Sequence, residues 1–349
     1  RSRGIVYPER FGQDFTLAYR VPAKYVIPAA EDQKTWVATW KDRWPEIAAL
    51  LAALALLTVL LALQSRLVAR AGPLGWFRPA FLAFTLLFVG WYAQGQLSIV
   101  NVVALLQAAI AWRSWAFFLY DPMTAILSAY VVVTAVAWGR GTFCGWLCPF
   151  GALQEFAATL ARLARLPRRR LAHAADARLK WAKYGVLAAI LAAAVVSARW
   201  SDPLMEVEPF KTAITMHFRR SWPAVAYAAG TVLLGAVVYK AFCRYLCPLG
   251  AFLAVLGRLR RWDWLRRRIE CGNPCQTCRA RCEYQAIDAR GAIIYAECFQ
   301  CMECVAIYHD DAQCAPRLLE RKGKRWATTP AGSAAGRQDL VVLGPNAKG

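Results

Sequence analysis

With 58% hydrophobic and 19% charged side chains, a 349-residue chain is too apolar for a water-soluble globule, whose charged fraction is about 25%. The apolar residues also gather into long blocks, which calls for lipid as solvent rather than one large core. Lys and Arg number 43 against 22 Asp and Glu, but the basic residues flank the apolar blocks. They therefore read as cytoplasmic membrane edges and anionic-lipid contacts, with no direct nucleic-acid role.

Residues 1–45 mix aromatic, proline and charged positions without a run able to span a bilayer, and begin at Arg1 with no initiator Met. They are expected to be a periplasmic juxtamembrane stub, the trailing edge of something larger. Residues 46–257 should form a transmembrane domain, an all-α bundle of about five spans: Ile47–Leu63, Pro79–Gln94, Ala125–Trp138 with its flanks, Tyr184–Ala198 and Trp222–Phe242. Leu97–Trp112 is polar at Asn101 and Gln107 and reads as an interfacial or re-entrant segment. A sixth span there would break the charge pattern.

That pattern sets the orientation. Arg66, Arg70 and Arg78 follow the first span, and Arg140, Arg162, Arg165, Arg168, Arg169 and Arg170 follow the third. Arg258, Arg260, Arg261, Arg266, Arg267 and Arg268 follow the fifth. These loops belong inside. The loop holding Arg113 and Asp121 belongs outside, as does the one mixing Asp202, Glu206 and Glu208 with Lys211, Arg219 and Arg220. In that second loop Glu206, Glu208 and His217 could handle protons, but solvated loop charges are the simpler reading. The N-terminus then lies outside and the cysteine-rich 258–322 region in the cytoplasm, in a multi-pass membrane protein. There its thiols stay reduced and free for metals. Residues 323–349 are rich in small residues, as in TTPAGSAAG, and should be a disordered tail.

One internal repeat stands out: FCGWLCPFGA at Phe143–Ala152 matches FCRYLCPLGA at Phe242–Ala251. Each copy follows an apolar span and precedes an arginine-rich stretch, a parallel repeat. Cys144 and Cys148 are spaced to share one helix face, as are Cys243 and Cys247, and Pro149 and Pro248 should end or kink each helix. If the copies meet, four sulfurs could form one Fe-S or other metal site, or redox-active dithiols; otherwise they pack as small hydrophobes.

The densest cysteines are CGNPCQTCRARC at Cys271–Cys282 and CFQCMECVAIYHDDAQC at Cys298–Cys314. Two-cluster ferredoxins use a cysteine triplet plus a fourth cysteine that ligates the other cluster. By that logic Cys271, Cys275, Cys278 and Cys314 hold one 4Fe-4S cluster and Cys282, Cys298, Cys301 and Cys304 a second. The region is expected to be a two-cluster ferredoxin-like α+β domain. Structural zinc is the competing reading, but zinc modules use separated pairs rather than triplets. His309 reads as surface polar.

Together, CGWLCPFGALQE, CRYLCPLGA, EVEPFKTAITMHF, CGNPCQTC and CFQCMECVAIYHDDAQC resemble the membrane and ferredoxin portion of NosR-type iron-sulfur flavoproteins. Related CxxxCP motifs occur in NapH-like quinol dehydrogenases. The resemblance implies FMN on an upstream periplasmic domain, quinol or a cytoplasmic reductant as donor, and nitrous-oxide reductase or its maturation machinery as partner. It implies electron supply to that reductase in denitrification and support of its maturation and expression. The alternatives are a NapH-like quinol dehydrogenase subunit and a redox-sensing assembly factor. Either way the chain is an electron-transfer component, and no catalytic residue or substrate pocket of its own is assigned.

Overall fold

A computed structural model describes residues 36–69, 74–95, 97–112, 115–196, 198–263, 267–323, 325–326 and 342–343. Most of the expected 1–45 stub lies outside these residues. The remainder opens with α1 (Trp36–Asp42), which leads into α2 (Trp44–Ala62), started by Pro45 in its first turn. Short α3 (Gln64–Ala69) follows, then α4 (Leu74–Phe84), which continues as a π-helix over Thr85–Tyr92. Leu97–Trp112 contains α5 (Ile99–Ile110), capped by the Ser98 hydroxyl, which accepts from the Val100 amide at 3.2 Å.

The middle of the chain runs through α6 (Pro122–Trp138), α7 (Pro149–Leu163), α8 (His173–Leu179), α9 (Ala182–Val196), α10 (Ala198–Met205) and α11 (Trp222–Val237). Short α12 (Ala241–Tyr245) and α13 (Pro248–Leu256) close this part. Helix α7 packs on α11, and α9 packs on both α10 and α13. Each expected span is therefore mostly helical among its described residues, the last being broken by a turn at 238–240. Trp44–Ala62 and the run His173–Val196 are long and apolar enough to cross a membrane, whereas the helices at 122–138 and 222–237 are apolar but shorter.

Apolar side chains cover both sides of these helices. Leu50, Leu54, Leu57 and Leu61 of α2 are buried, while Leu51, Leu56 and Val59 face outward. Val132 and Val133, Val195 and Val196, and Leu233 and Leu234 do the same on α6, α9 and α11. A helix hydrophobic all round is at home in lipid.

The 267–322 region carries α14 (Thr277–Arg281), α15 (Glu303–His309) and α16 (Ala315–Arg321). Where an α+β domain is expected, its described residues hold only two isolated bridges, Cys271 to Cys275 and Ile287 to Ile293. Its backbone is spent on turns around cysteines. In the expected disordered tail, β1 (Arg325–Trp326) pairs antiparallel with β2 (Val342–Leu343); nearly all the rest of that tail lies outside the described residues.

Candidate iron-sulfur centres

The CxxxCP motifs depart from one expectation. Cys144 sits in a π-helical turn, Phe143–Leu147, whereas Cys148 has left it for extended backbone at φ −84° and ψ 110°. Cys247 does the same after α12, at φ −65° and ψ 111°. The two cysteines of a motif therefore do not share one helix face. The helix before each proline ends there, as expected, and Pro149 and Pro248 also start new helices, because proline lacks only an amide that the first turn leaves unpaired. Each preceding sulfur caps the new helix: Cys148 Sγ accepts from the Gly151 amide and Cys247 Sγ from the Gly250 amide, both at 3.2 Å. A helix N-terminus is a setting that favours sulfur as thiolate or metal ligand.

The two copies meet. All four cysteines are buried. The Cys243 and Cys148 thiols are hydrogen-bonded, and Cys144 and Cys247 lie close enough to Cys243 for their charges to interact. Cys243 Sγ also donates to Gln154 Oε1 at 3.2 Å, and Gln154 Nε2 is anchored on the Thr231 carbonyl at 3.1 Å. Three wholly buried cations, Arg140, Lys183 and Lys240, face Cys144. Arg140 spans both repeats by donating to the Gly250 carbonyl at 3.1 Å. Glu297 pairs with Lys183 at 2.6 Å and with Arg140 at 3.5 Å, and Glu155 pairs with Lys240 at 2.9 Å and Arg78 at 2.9 Å.

In the 267–322 region, Cys271 lies beside Cys275 and Cys314, and Cys278 beside Cys271 and Cys275. Cys304 has Cys301, Cys298 and Cys282 as neighbours. It also neighbours Cys278, so the two groups of four adjoin. A cleft is lined by Cys278, Cys282, Cys298, Cys301 and Cys304 with apolar walls from Tyr284, Ile293 and Ile307. Amides of Ala286 and Gln300 point at the sulfurs of Cys282 and Cys298, both at 3.4 Å. Burial pushes the Cys298 thiol up to about 12 and the Cys301 thiol up to about 11. Such thiols stay protonated at neutral pH unless a metal takes the proton's place. Among the described residues no three His, Cys, Asp or Glu side chains are placed to hold a single metal ion. Thiolate-rich donor sets of this kind suit iron-sulfur clusters.

The second cysteine group touches the first CxxxCP motif. Phe299, between Cys298 and Gln300, is wholly buried and stacks on Tyr284 at 4.4 Å. The Arg140 and Lys240 cations lie 4.8 Å and 5.6 Å from its ring centre. Trp146 Nε1 donates to the Gln300 carbonyl at 2.9 Å, and the Thr142 hydroxyl to Gln300 Oε1 at 2.8 Å. At its other end the same motif meets the 208–215 segment. A Cβ on Gly90 would lie 2.7 Å from Pro149 Cβ and 3.3 Å from Ile214 Cγ2, and Phe150 and Phe210 pack at 5.8 Å.

Three side chains read as loop charges separate here. Glu206 pairs with Arg220 at 2.6 Å and Lys211 at 3.2 Å near the surface, and His217 is exposed. Glu208 is instead buried, accepting from the Ser98 hydroxyl at 2.6 Å and the Ile99 amide at 3.1 Å. The start of α5 supplies the donors that water would have supplied. His309 is half-buried beside Tyr308. Sequence reasoning also missed Asp176, buried against Arg244, Tyr245 and Lys180. A lone Lys183 in the apolar run AKYGVLAAILAAAVV was a readable signal, since a charge inside a spanning helix seldom lacks a partner.

A family profile described as NosR matches residues 269–325, and one described as a 4Fe-4S binding domain matches 120–169 and 221–270, each stretch containing one CxxxCP motif. A regulatory protein NosR of Pseudomonas aeruginosa is 42% identical over 331 residues, covering 92% of this chain and 46% of the relative. Protein NirI of Paracoccus denitrificans is 41% identical, covering 89% of this chain and 45% of its own length. A shorter Pseudomonas aeruginosa sequence named regulatory protein NosR is 52% identical over 87 residues, 24% of this chain and 87% of the relative. No solved structure matches. The chain thus spans about half the length of the long curated relatives. It belongs to the NosR family.

Proposed function

We propose that this chain is the membrane electron-transfer portion of a NosR-type protein. It has about five spans, a cytoplasmic ferredoxin region, and electrons directed toward periplasmic nitrous-oxide reductase. Cys271, Cys275, Cys278 and Cys314 hold one 4Fe-4S cluster; Cys282, Cys298, Cys301 and Cys304 hold the other. Cys144, Cys148, Cys243 and Cys247 hold a third redox-active metal centre. When bound, such clusters supply reversible one-electron chemistry. The chain's own part is to position them, exclude water and balance their charge.

The observation that carries this reading is the gathering of the twelve cysteines into three groups of four, the second in contact with the CxxxCP motif through Phe299 and Gln300. Charge adds support. Arg140, Lys180, Lys183, Lys240 and Arg244 are buried, and with Arg78 these six cations share three carboxylates, Asp176, Glu297 and Glu155. Uncompensated buried charge is costly, and metal-bound thiolates beside Arg140, Lys183 and Lys240 would offset it. Neutral packing thiols would not. The outward Leu and Val of α2, α6, α9 and α11 support the spans.

A regulatory reading is favoured by the name that the Pseudomonas relatives bear: the clusters then report redox state to the machinery that expresses or matures the reductase. Growth on nitrous oxide as sole acceptor, with all four CxxxCP cysteines changed to Ser in the full-length protein, separates the two. Lost growth with normal reductase levels supports electron transfer; lost reductase supports regulation; normal growth contradicts both roles for these cysteines.

A further inference from the structure

The two repeats are identical at seven of their ten motif residues and alike in type at two more, yet differ sharply at one: Gly145 in the first occupies the place of Arg244 in the second. The structure gives each a different neighbour. A Cβ added at Gly145 would lie 1.8 Å from the Phe299 carbonyl oxygen and 3.0 Å from its carbon. The backbone of the second ferredoxin motif therefore rests directly on the residue after Cys144. Arg244, at the matching place, extends a long side chain to buried Asp176 and donates to the Glu283 carbonyl at 3.4 Å. There a side chain, not a backbone seam, meets the ferredoxin region. The residue after each differs in parallel: Trp146 donates to the Gln300 carbonyl, whereas Tyr245 donates to Asp176 at 2.6 Å.

We infer that Gly145 is a docking port that admits the Phe299–Gln300 backbone of the ferredoxin region to the first CxxxCP motif, and that electrons enter the CxxxCP centre from the ferredoxin region at this joint. Gly145, Trp146, Phe299 and Gln300 are positioning residues. The inference rests on the proposed redox role of both groups. One electron leaves the centre at Cys282, Cys298, Cys301 and Cys304 and one arrives at the CxxxCP centre, with no bond made or broken and no proton required. Only glycine permits the contact, since any side chain would meet backbone that cannot swing aside. Burial of Phe299 between Tyr284 and the Arg140 and Lys240 cations excludes water from the seam.

The test uses full-length detergent-solubilised protein carrying Gly145→Ala, Trp146→Phe or, as control, Gly230→Ala, where an added Cβ meets nothing within 4 Å. Trp146→Phe keeps an aromatic ring and removes the donor to Gln300, so it decides the joint even where Gly145→Ala fails to fold. Two readouts are taken: hydrogen exchange of the peptide spanning 297–304, and freeze-quench EPR after mixing with dithionite. In Gly145→Ala, exchange over 297–304 should rise to that of an undocked segment. The CxxxCP centre should then reduce at least tenfold more slowly than the ferredoxin centres, at native iron content. Trp146→Phe should show the same changes in smaller degree, and Gly230→Ala neither. Unchanged exchange in both port variants overturns the joint. Raised exchange with undiminished reduction of the CxxxCP centre keeps the joint and overturns it as the electron path. A native protein with no reducible CxxxCP centre overturns the underlying redox reading, while exchange still decides the joint.

Discussion

Asp176→Ala should unfold the second CxxxCP motif from its support. The carboxylate is buried and is shared by three donors: the Arg244 guanidinium, the Tyr245 hydroxyl at 2.6 Å and the Lys180 ammonium at 2.6 Å. Two of the three are cations, themselves buried. Removing the anion leaves both unpaired in an environment without water, and breaking a buried pair from one side costs about 3–5 kcal/mol. With two cations affected, the upper part of that range applies. For a chain of this size the loss corresponds to roughly 5–10 °C in unfolding temperature. Tyr245→Phe removes one neutral donor and should cost about 1 kcal/mol. The assay is thermal unfolding of purified protein in one detergent, followed by tryptophan fluorescence, with Asp176→Ala, Tyr245→Phe and the double change Asp176→Ala with Arg244→Met. The double variant should recover part of the loss, because it removes one stranded cation. An Asp176→Ala protein within 1 °C of native, or a double variant less stable than the single, would refute this account of the buried network.

Cys282→Ser should remove the cluster of Cys298, Cys301 and Cys304 and spare that of Cys271, Cys275 and Cys278, read by EPR; the opposite loss would contradict the crossed ligation. Gly235→Val should drive its side chain into Gln154, since an added Cβ would lie 2.7 Å from Nε2, at about 1–3 kcal/mol; the unfolding temperature checks it. A cytoplasmic reporter fused after Lys322 should be active and one fused near Lys211 inactive, because arginine-rich loops stay inside. The reverse pattern would place the ferredoxin region outside.

The apolar runs and the cysteines were legible because lipid burial and metal ligation leave local marks: long Leu and Ala blocks, and sulfurs at fixed spacings. Each expected span is mostly helical, and the cysteines singled out by their spacing lie together in groups of four. The position of Cys148 and Cys247 was not legible. Spacing alone suggested one helix face, whereas each cysteine caps a new helix whose first turn its proline begins. Nor could local pattern reveal Asp176, Glu208 or Glu297 as buried partners, and the lone Lys183 in its apolar run signalled a partner without saying which. Their pairings join residues 68 to 114 positions apart, and charge counting along the chain reads such residues as solvated. The repeat was plain, but its break at Gly145 and Arg244 acquires meaning only when the ferredoxin backbone is seen against one and Asp176 against the other.

The central claim is that three cysteine groups hold iron in one electron path, and iron with acid-labile sulfide per chain tests it most directly. Full-length protein purified without oxygen should contain about eight iron atoms in the two ferredoxin clusters and further iron at the CxxxCP cysteines. Changing Cys144, Cys148, Cys243 and Cys247 together to Ser should lower the count to about eight and leave the ferredoxin EPR signals in place. Equal iron in the two proteins would reduce the CxxxCP cysteines to packing residues, and zinc in place of iron would contradict the account as a whole.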